Sequence, residues 1–269
     1  DGKLIAWQSM ERDGYESDRN RLCVMDIKSG KKSYVAESFD SNVDDFCWAK
    51  DSKSLYFVGV WHGVTHVYNV KHSTCKVQQL TEGQYDYTSV QLCGNGLLVS
   101  RQSMCEPADL YCVVLNKKAA VQQITNENKW FKDNIDFGTV EPRWSKTVDG
   151  KDMLSWIVLP PNFDKNKKYP ALLFCEGGPQ SPVSQFWSFR WNMMIMAANG
   201  YVVVAPNRRG LPGFGSAWNE EISTNYGGHC MDDLLSAIDD ATNLPYIDKD
   251  RLGCVGASFG GFSVYWLAG

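Results

Sequence analysis

No Cys-x-x-Cys pair occurs in this sequence, although nine cysteines are scattered through it at 23, 47, 75, 93, 105, 112, 175, 230 and 254. The spacing that builds a zinc site is therefore missing, and no metal ligand is assigned. Basic residues are not in excess. Lys plus Arg number 27 against 31 for Asp plus Glu, a net charge of −4, which excludes nucleic acid or an anionic membrane surface as the main partner. Nothing resembles a signal peptide, and no apolar run is long enough to span a bilayer; the longest candidate, 193–205, is broken by Asn199 and Gly200. No pattern calls for a cofactor. An odd number of cysteines leaves at least one thiol free or paired outside the chain. Cys47, Cys112, Cys175 and Cys254 sit in apolar strand candidates, where cysteine serves as a small hydrophobe, so cysteine does not settle the compartment.

What is present is enough apolar residue, 43% of the chain, for one large or two ordinary domains. The first ~125 residues hold many short strand candidates separated by turn signals. They also repeat. Val77-Gln78-Gln79-Leu80-Thr81 recurs as Val121-Gln122-Gln123-Ile124-Thr125, and Val67-Tyr68-Asn69-Val70 as Leu110-Tyr111-Cys112-Val113. A period of ~40–45 residues with four strands per unit is the spacing of a propeller blade. One unit runs over Val43 to Leu80 and the next over Tyr87 to Ile124, with the piece before Val43 as the tail of a third. Closed propellers have ~4–8 blades. The chain also opens on Asp1-Gly2-Lys3-Leu4 without a Met and stops at Gly269, so the sequence reads as a fragment of a longer protein. The lone His62, His66 and His72 read as scaffold.

The character changes over Lys129 to Pro142, which places a boundary near 130: propeller blades over 1–130 and a second domain over 131–269. The second domain opens with a hairpin, Pro142 to Thr147 and Met153 to Leu159, around Asp149-Gly150. Ala171 to Cys175 is an apolar run suited to a strand buried on both faces, Phe186 to Asn199 reads as a helix, and Tyr201 to Ala205 as the next buried strand. His229 to Leu244 is amphipathic, with Met231, Leu234, Leu235 and Ile238 inward and Asp232, Asp233, Asp239 and Asp240 outward. The order strand–helix–strand–helix–strand is that of a doubly wound sheet.

That last strand candidate, Arg251 to Val255, runs into Gly256-Ala257-Ser258-Phe259-Gly260, and an apolar helix follows from Gly261. Gly-x-Ser-x-Gly between a strand and a helix is a nucleophile elbow, in which Ser258 stands on a strained turn and Gly256 and Gly260 admit close neighbours. A serine hydroxyl needs a base to take its proton and an oxyanion hole to receive the developing charge. The backbone N–H of Phe259 is one donor; Gly177-Gly178, on the loop after an earlier strand, offers the other. The triad order in this fold is Ser, then Asp or Glu, then His, yet none of these acids or bases follows Ser258. The single histidine of the second half, His229, precedes it and reads as a helix-start residue.

These features resemble the prolyl oligopeptidase family of serine peptidases, over essentially the whole chain. The resemblance is carried by Asp149-Gly150-Lys151, Lys168-Tyr169-Pro170, Gly177-Gly178-Pro179, Asn207-Arg208-Arg209-Gly210 with Gly213-Phe214-Gly215, Asp248 to Leu252, and Gly256 to Phe262, in that order behind a blade repeat. Gly177 to Ser181 followed by the aromatic 186–191 stretch is most similar to the bacterial dipeptidyl peptidase V and acylaminoacyl-peptidase branch. The resemblance implies the last blades of a β-propeller followed by the first part of an α/β-hydrolase domain, an acyl-enzyme on Ser258, and short peptides as substrates admitted through the propeller. It implies removal of dipeptides or acylated residues from peptide N-termini, a triad Asp and His outside this chain, and a periplasmic location, with the cytoplasm as the alternative. An oligomer is compatible with it. Where several relatives carry a tyrosine that donates to the oxyanion, this chain has Glu176, so the second donor is assigned to the amide of Gly178 first and Gly177 second. Arg208 and Arg209 are expected to tie their loop to nearby carbonyls. Two other readings stand beside this one: an esterase-like hydrolase, which would need no propeller gate, and a propeller binding module beside an inert hydrolase domain.

Overall fold

The computed structural model describes residues 2–115 and 120–269. The opening Asp1 and the 116–119 stretch of the second repeat unit lie outside the described residues. The chain begins with three strands, β1 (Leu4–Ser9), β2 (Arg21–Asp26) and β3 (Lys32–Tyr34), paired as an antiparallel meander. Two four-stranded meanders follow: β4 (Asp45–Trp48), β5 (Ser54–Trp61), β6 (Val64–Lys71) and β7 (Lys76–Gln79); then β8 (Asp86–Cys93), β9 (Gly96–Ser103), β10 (Glu106–Val114) and β11 (Val121–Gln123). Each strand pairs antiparallel with its successor within a meander, and a single parallel bridge, Thr65 with Asp86, joins the two. The repeat seen in sequence is thus a repeat of structure. Tyr68 and Tyr111 occupy the third strand of their meanders, and both are buried. Gly94-Asn95 makes the two-residue turn between β8 and β9, with Gly94 at φ 56°.

The short helix α1 (Lys129–Asn134) separates these meanders from a five-stranded sheet. Its strands are β12 (Thr139–Lys146), β13 (Asp152–Leu159), β14 (Tyr169–Cys175), β15 (Val202–Pro206) and β16 (Ile247–Gly256), and the helices between and after them are α2 (Met193–Ala198), α3 (Ser216–Glu220), α4 (His229–Ala241) and α5 (Phe259–Ala268). The order across the sheet is β12-β13-β15-β14-β16. Only β15, β14 and β16 run parallel; the β12–β13 hairpin adds antiparallel, so the sheet is mixed where the sequence suggested a parallel one.

Both faces of this sheet are buried, as its apolar runs require. On one face Met153, Ile157, Leu173, Val202 and Val204 pack against Met231, Leu234 and Ile238 of α4 and Phe259 of α5. On the other, Leu154, Trp156, Val158, Phe174, Val203 and Ala205 pack against Met193, Met194 and Ala197 of α2. Neighbouring residues of one strand alternate between the two cores, as the period-2 pleat dictates. The second core reaches into the N-terminal meanders through Met104, Val64 and Cys105. The contact between halves is close elsewhere too. The His62 N–H donates to the Gly213 carbonyl at 2.9 Å, its ring stacks on Phe214, and Gly63 leaves no room for a side chain beside Leu154.

Two expectations are corrected here. The 186–199 helix contracts to Met193–Ala198. Asn192 caps it by accepting from Met194 N and Ile195 N, and Ser188 Oγ accepts from the amides of Arg190 and Trp191, which holds 188–192 out of helix. Trp187 instead meets Phe131, Phe137 and Phe189 edge-on. In α4, Asp233 is not outward but fully buried, and Leu235 is 41% exposed. A tertiary partner, Arg209, turns the helix that way.

Candidate active site

β16 ends at Gly256 and α5 begins at Phe259, so Ala257 and Ser258 form the whole connection. Ser258 sits at φ 54°, ψ −124°, in a region that side chains rarely adopt. It is the N-cap of α5 and is exposed, while Phe259 and Gly260, which follow it in the helix, are buried. The glycines around it are there for space. A Cβ on Gly260 would stand 2.0 Å from the Cys175 carbonyl oxygen, and one on Gly256 would stand 2.5 Å from the Gly260 oxygen and 2.7 Å from that of Cys175. The strand end of β14 therefore lies directly against the turn.

The chain leaving β14 is the Gly177-Gly178 loop. A Cβ on Gly177 would touch the Ala257 oxygen at 3.0 Å and the Ser258 Cβ at 3.7 Å, so the loop is in contact with the elbow. Gly178 has φ 109° and precedes a cis bond to Pro179; a side chain there would meet the Gln180 amide at 2.5 Å. Ser258, Gly256, Gly260 and Gly177 are thus brought together at one spot, with Gly178 next in the loop, and there the first N–H of α5, that of Phe259, has no intrahelical acceptor.

Glu176, at the start of the loop, is mostly buried, and burial pushes its carboxyl above the usual carboxylate range, partly offset by the Gly177 N–H and by Arg208. Its Oε1 accepts from that Gly177 N–H at 3.0 Å. This engages one of the two loop amides, that of Gly177.

Arg208 is fully buried and ties the two sides of the site together. Its Nη2 donates to the carbonyls of Glu176 (3.2 Å) and Pro179 (3.3 Å), its Nη1 to that of Arg209 (2.9 Å), and its guanidinium lies 4.5 Å from the centre of the Phe259 ring. Its neighbour uses carboxylates, not the expected carbonyls. Arg209 pairs with Asp233 (Nη2–Oδ1 2.7 Å), with Asp149 of the β12–β13 turn (2.9 Å) and with Glu221 (3.1 Å). Burial works against the Arg209 charge, but these bonds more than offset it and hold the guanidinium above its usual value. The Thr147 hydroxyl and then Arg209 hold Asp149 well below the carboxylate range. Asn207, fully buried, accepts from Val183 N (3.0 Å) and donates to Val183 O (2.9 Å), fixing the far end of the loop. The sequence marked Asp149 as a turn residue, Asn207 as part of a motif and Asp233 as a solvated helix acid, but gave none of them, nor Glu221, these supporting roles.

The histidines are engaged elsewhere. His62 stacks between Trp61 and Phe214, His66 bonds Thr81, His72 meets Trp48, and His229 faces Glu221 at 3.6 Å. Among the described residues no group of three His, Cys, Asp or Glu side chains could hold a metal ion, and no helix is long and apolar enough to cross a membrane. All nine cysteines are free thiols.

A strained serine between a parallel strand and a helix, with a glycine loop from the neighbouring strand against it, defines a hydrolase-type nucleophile elbow on an α/β sheet. Residues 187–269 match the model of the prolyl oligopeptidase family. Over all 269 residues it is 54% identical to the Dipeptidyl-peptidase 5 of Porphyromonas gingivalis, covering 39% of that protein. It is 33% identical over 274 positions to the Dipeptidyl-peptidase 5 of Aspergillus fumigatus, covering 38% of it. The chain thus spans about two fifths of the length of these curated relatives. Among solved structures it superposes on the acylaminoacyl peptidase of Pyrococcus horikoshii with a TM-score of 0.85 at 20% identity, over 99% of this chain and 41% of that one, and so has the fold of that part.

Proposed function

We propose that the protein is a serine exopeptidase that releases dipeptides or acylated residues from the N-termini of short peptides. The observation that carries this is Ser258 at φ 54° with the Gly177-Gly178 loop packed on its turn. In this reading Ser258 Oγ attacks the scissile carbonyl carbon and its proton passes to a histidine base. The carbonyl oxygen becomes an oxyanion held by the amides of Phe259 and Gly178. The proton then goes to the leaving amine, the C–N bond breaks, and water hydrolyses the acyl-enzyme. The described histidines all have other partners, so base and orienting carboxylate are assigned to residues outside 1–269. The family and the names of the two relatives support this reading.

The domain reading belongs to the same proposal. The two four-stranded meanders and the β1–β3 piece are read as propeller blades over 1–130, and the mixed sheet over 131–269 as the hydrolase domain. Between them a cavity of about 740 Å³ opens beside Gly178. Glu16 is the one charged residue among those that line it. This single carboxylate favours a substrate with a free ammonium over an acylated one, and so favours dipeptide release.

The test is fluorophosphonate labelling of the full-length protein, with the adduct mapped by mass spectrometry and Ser258→Ala as control. A label on Ser258, followed by faster hydrolysis of dipeptidyl than of N-acylated chromogenic amides, is the expected result. A folded protein that takes no label at Ser258 sinks the peptidase and esterase readings together and leaves a binding module.

A further inference from the structure

We propose that Ser17 is a positioning residue of the active site: from the N-terminal half of the chain it sets the place of the Gly178 amide. The inference rests on the reading of Gly178 as an oxyanion donor.

Ser17 lies in the 10–20 connection between β1 and β2, a surface loop by sequence, yet it is only 3% exposed. The loop is pinned to the other half of the molecule. Arg12 bridges Asp18 within the loop and Glu220 across it, and the Tyr15 hydroxyl donates to the same Glu220 carboxylate. At its centre the Ser17 backbone carbonyl accepts from Asn219 Nδ2 at 3.0 Å. The Ser17 hydroxyl meets Asn219 O at 3.4 Å, Ser223 Oγ at 2.9 Å and Gln180 Nε2 at 3.1 Å. A hydroxyl has one proton and two lone pairs. Donating to Asn219 O and accepting from Ser223 and Gln180 uses all three.

The bond to Gln180 matters for the chemistry. Gln180 follows Gly178 by two positions, and its backbone N lies only 2.5 Å from where a Gly178 Cβ would stand, so the two residues are packed together in one tight turn. The loop from 176 to 184 has no regular structure of its own. From the hydrolase side it is held by Arg208 at Glu176 and Pro179 and by Asn207 at Val183. From the other side it is held by Ser17 at Gln180 and by Asp86 at Ser184. Among the described residues the Gln180 side chain hydrogen-bonds to Ser17 and to no hydrolase-side group, so the Ser17 hydroxyl decides where this turn rests. An oxyanion donor works only if it is already in place when charge develops, and a small misplacement costs rate and not ground-state affinity. Docking of the 10–20 loop thereby completes the hole, and the two halves act as one catalytic unit.

The experiment uses the full-length protein with Ser17→Ala, Gln180→Met and the double variant, assayed on a dipeptidyl chromogenic amide. Each single variant is expected to lower kcat about 10-fold with KM nearly unchanged. A peptide aldehyde, whose adduct carries the oxyanion, is expected to lose affinity in the same proportion, while the dipeptide product does not. The double variant is expected to be no slower than the singles, because both remove one interaction. An unchanged kcat, or effects of the two singles that multiply, would overturn the inference. If Ser17→Ala fails to fold, Gln180→Met carries the test alone, since it removes only the donor from a partly exposed side chain. A wild-type protein that takes no fluorophosphonate at Ser258 defeats the underlying reading instead, and this is measured first.

Discussion

Gly260 lies against the carbonyl of Cys175 so closely that a Cβ on it would stand 2.0 Å from that oxygen. The contact is backbone on backbone, so no rotamer change relieves it. Gly260→Ala must therefore push α5 off the end of β14 and move Ser258 with it. We expect fluorophosphonate labelling at Ser258 to fall by ~10²-fold or more, together with a loss of several degrees in Tm. Gly253→Ala is the internal control. Its Cβ meets only Leu172 Cδ1 at 3.6 Å, an ordinary contact, so labelling and Tm should stay near wild type.

Ser258 holds a backbone conformation that a side chain disfavours. A glycine adopts φ 54°, ψ −124° far more readily than serine does. Ser258→Gly should therefore be more stable than Ser258→Ala by about 1 kcal/mol, although both lack the hydroxyl. Denaturant unfolding of the two variants checks this. Equal midpoints would mean that the turn is unstrained.

The Arg209–Asp233 pair is buried at both ends, 0% exposed on each side chain. Asp233→Leu leaves the guanidinium with only its partly exposed partners Asp149 and Glu221. The expected cost is about 3–5 kcal/mol, read as a shift in the unfolding midpoint. Arg209→Lys should cost nearly as much, because an ammonium cannot reproduce the fork that bonds Asp233 and Asp149 at once.

Asp86 gives the protein a pH dependence of definite sign. It is 3% exposed, and burial raises its carboxyl to about 6, against the bonds from the Ser184 hydroxyl and the Thr65 N–H. The unfolded chain releases this proton near 3.8, the folded one near 6. Between these values the folded state binds more protons, so stability falls as pH rises, by on the order of 2–3 kcal/mol in all. Asp86→Asn should make this segment of the stability–pH curve shallower, while Asp44, raised to about 7 by desolvation and then by the Asp86 charge, keeps a slope of the same sign. A curve that keeps the same slope in the variant would assign the effect to another group. His66, buried beside Thr81 and lowered to about 4, works in the opposite sense: stability falls as pH drops from about 6.5 toward 4.

Local physics wrote much of this protein into its sequence. The meanders were legible because strand pairing has a short period and turns demand Gly, Asn and Asp, so Val67–Val70 and Leu110–Val113 announce equivalent strands. The elbow was legible because only glycine fits where backbones touch, which ties Gly256 and Gly260 to Ser258 whatever surrounds them. Tertiary structure decided the rest. Asp233 reads as a solvated helix acid until Arg209, 24 positions earlier, is placed beside it. The 186–192 stretch has helical composition, but Asn192 and Ser188 take the amides a helix would need, and Trp187 packs on Phe131 and Phe137, far earlier in the chain. Ser17 carries no signal at all: its partners Gln180, Asn219 and Ser223 lie 163 or more positions away. A buried hydrogen bond depends on where two surfaces meet, and no local pattern encodes that meeting.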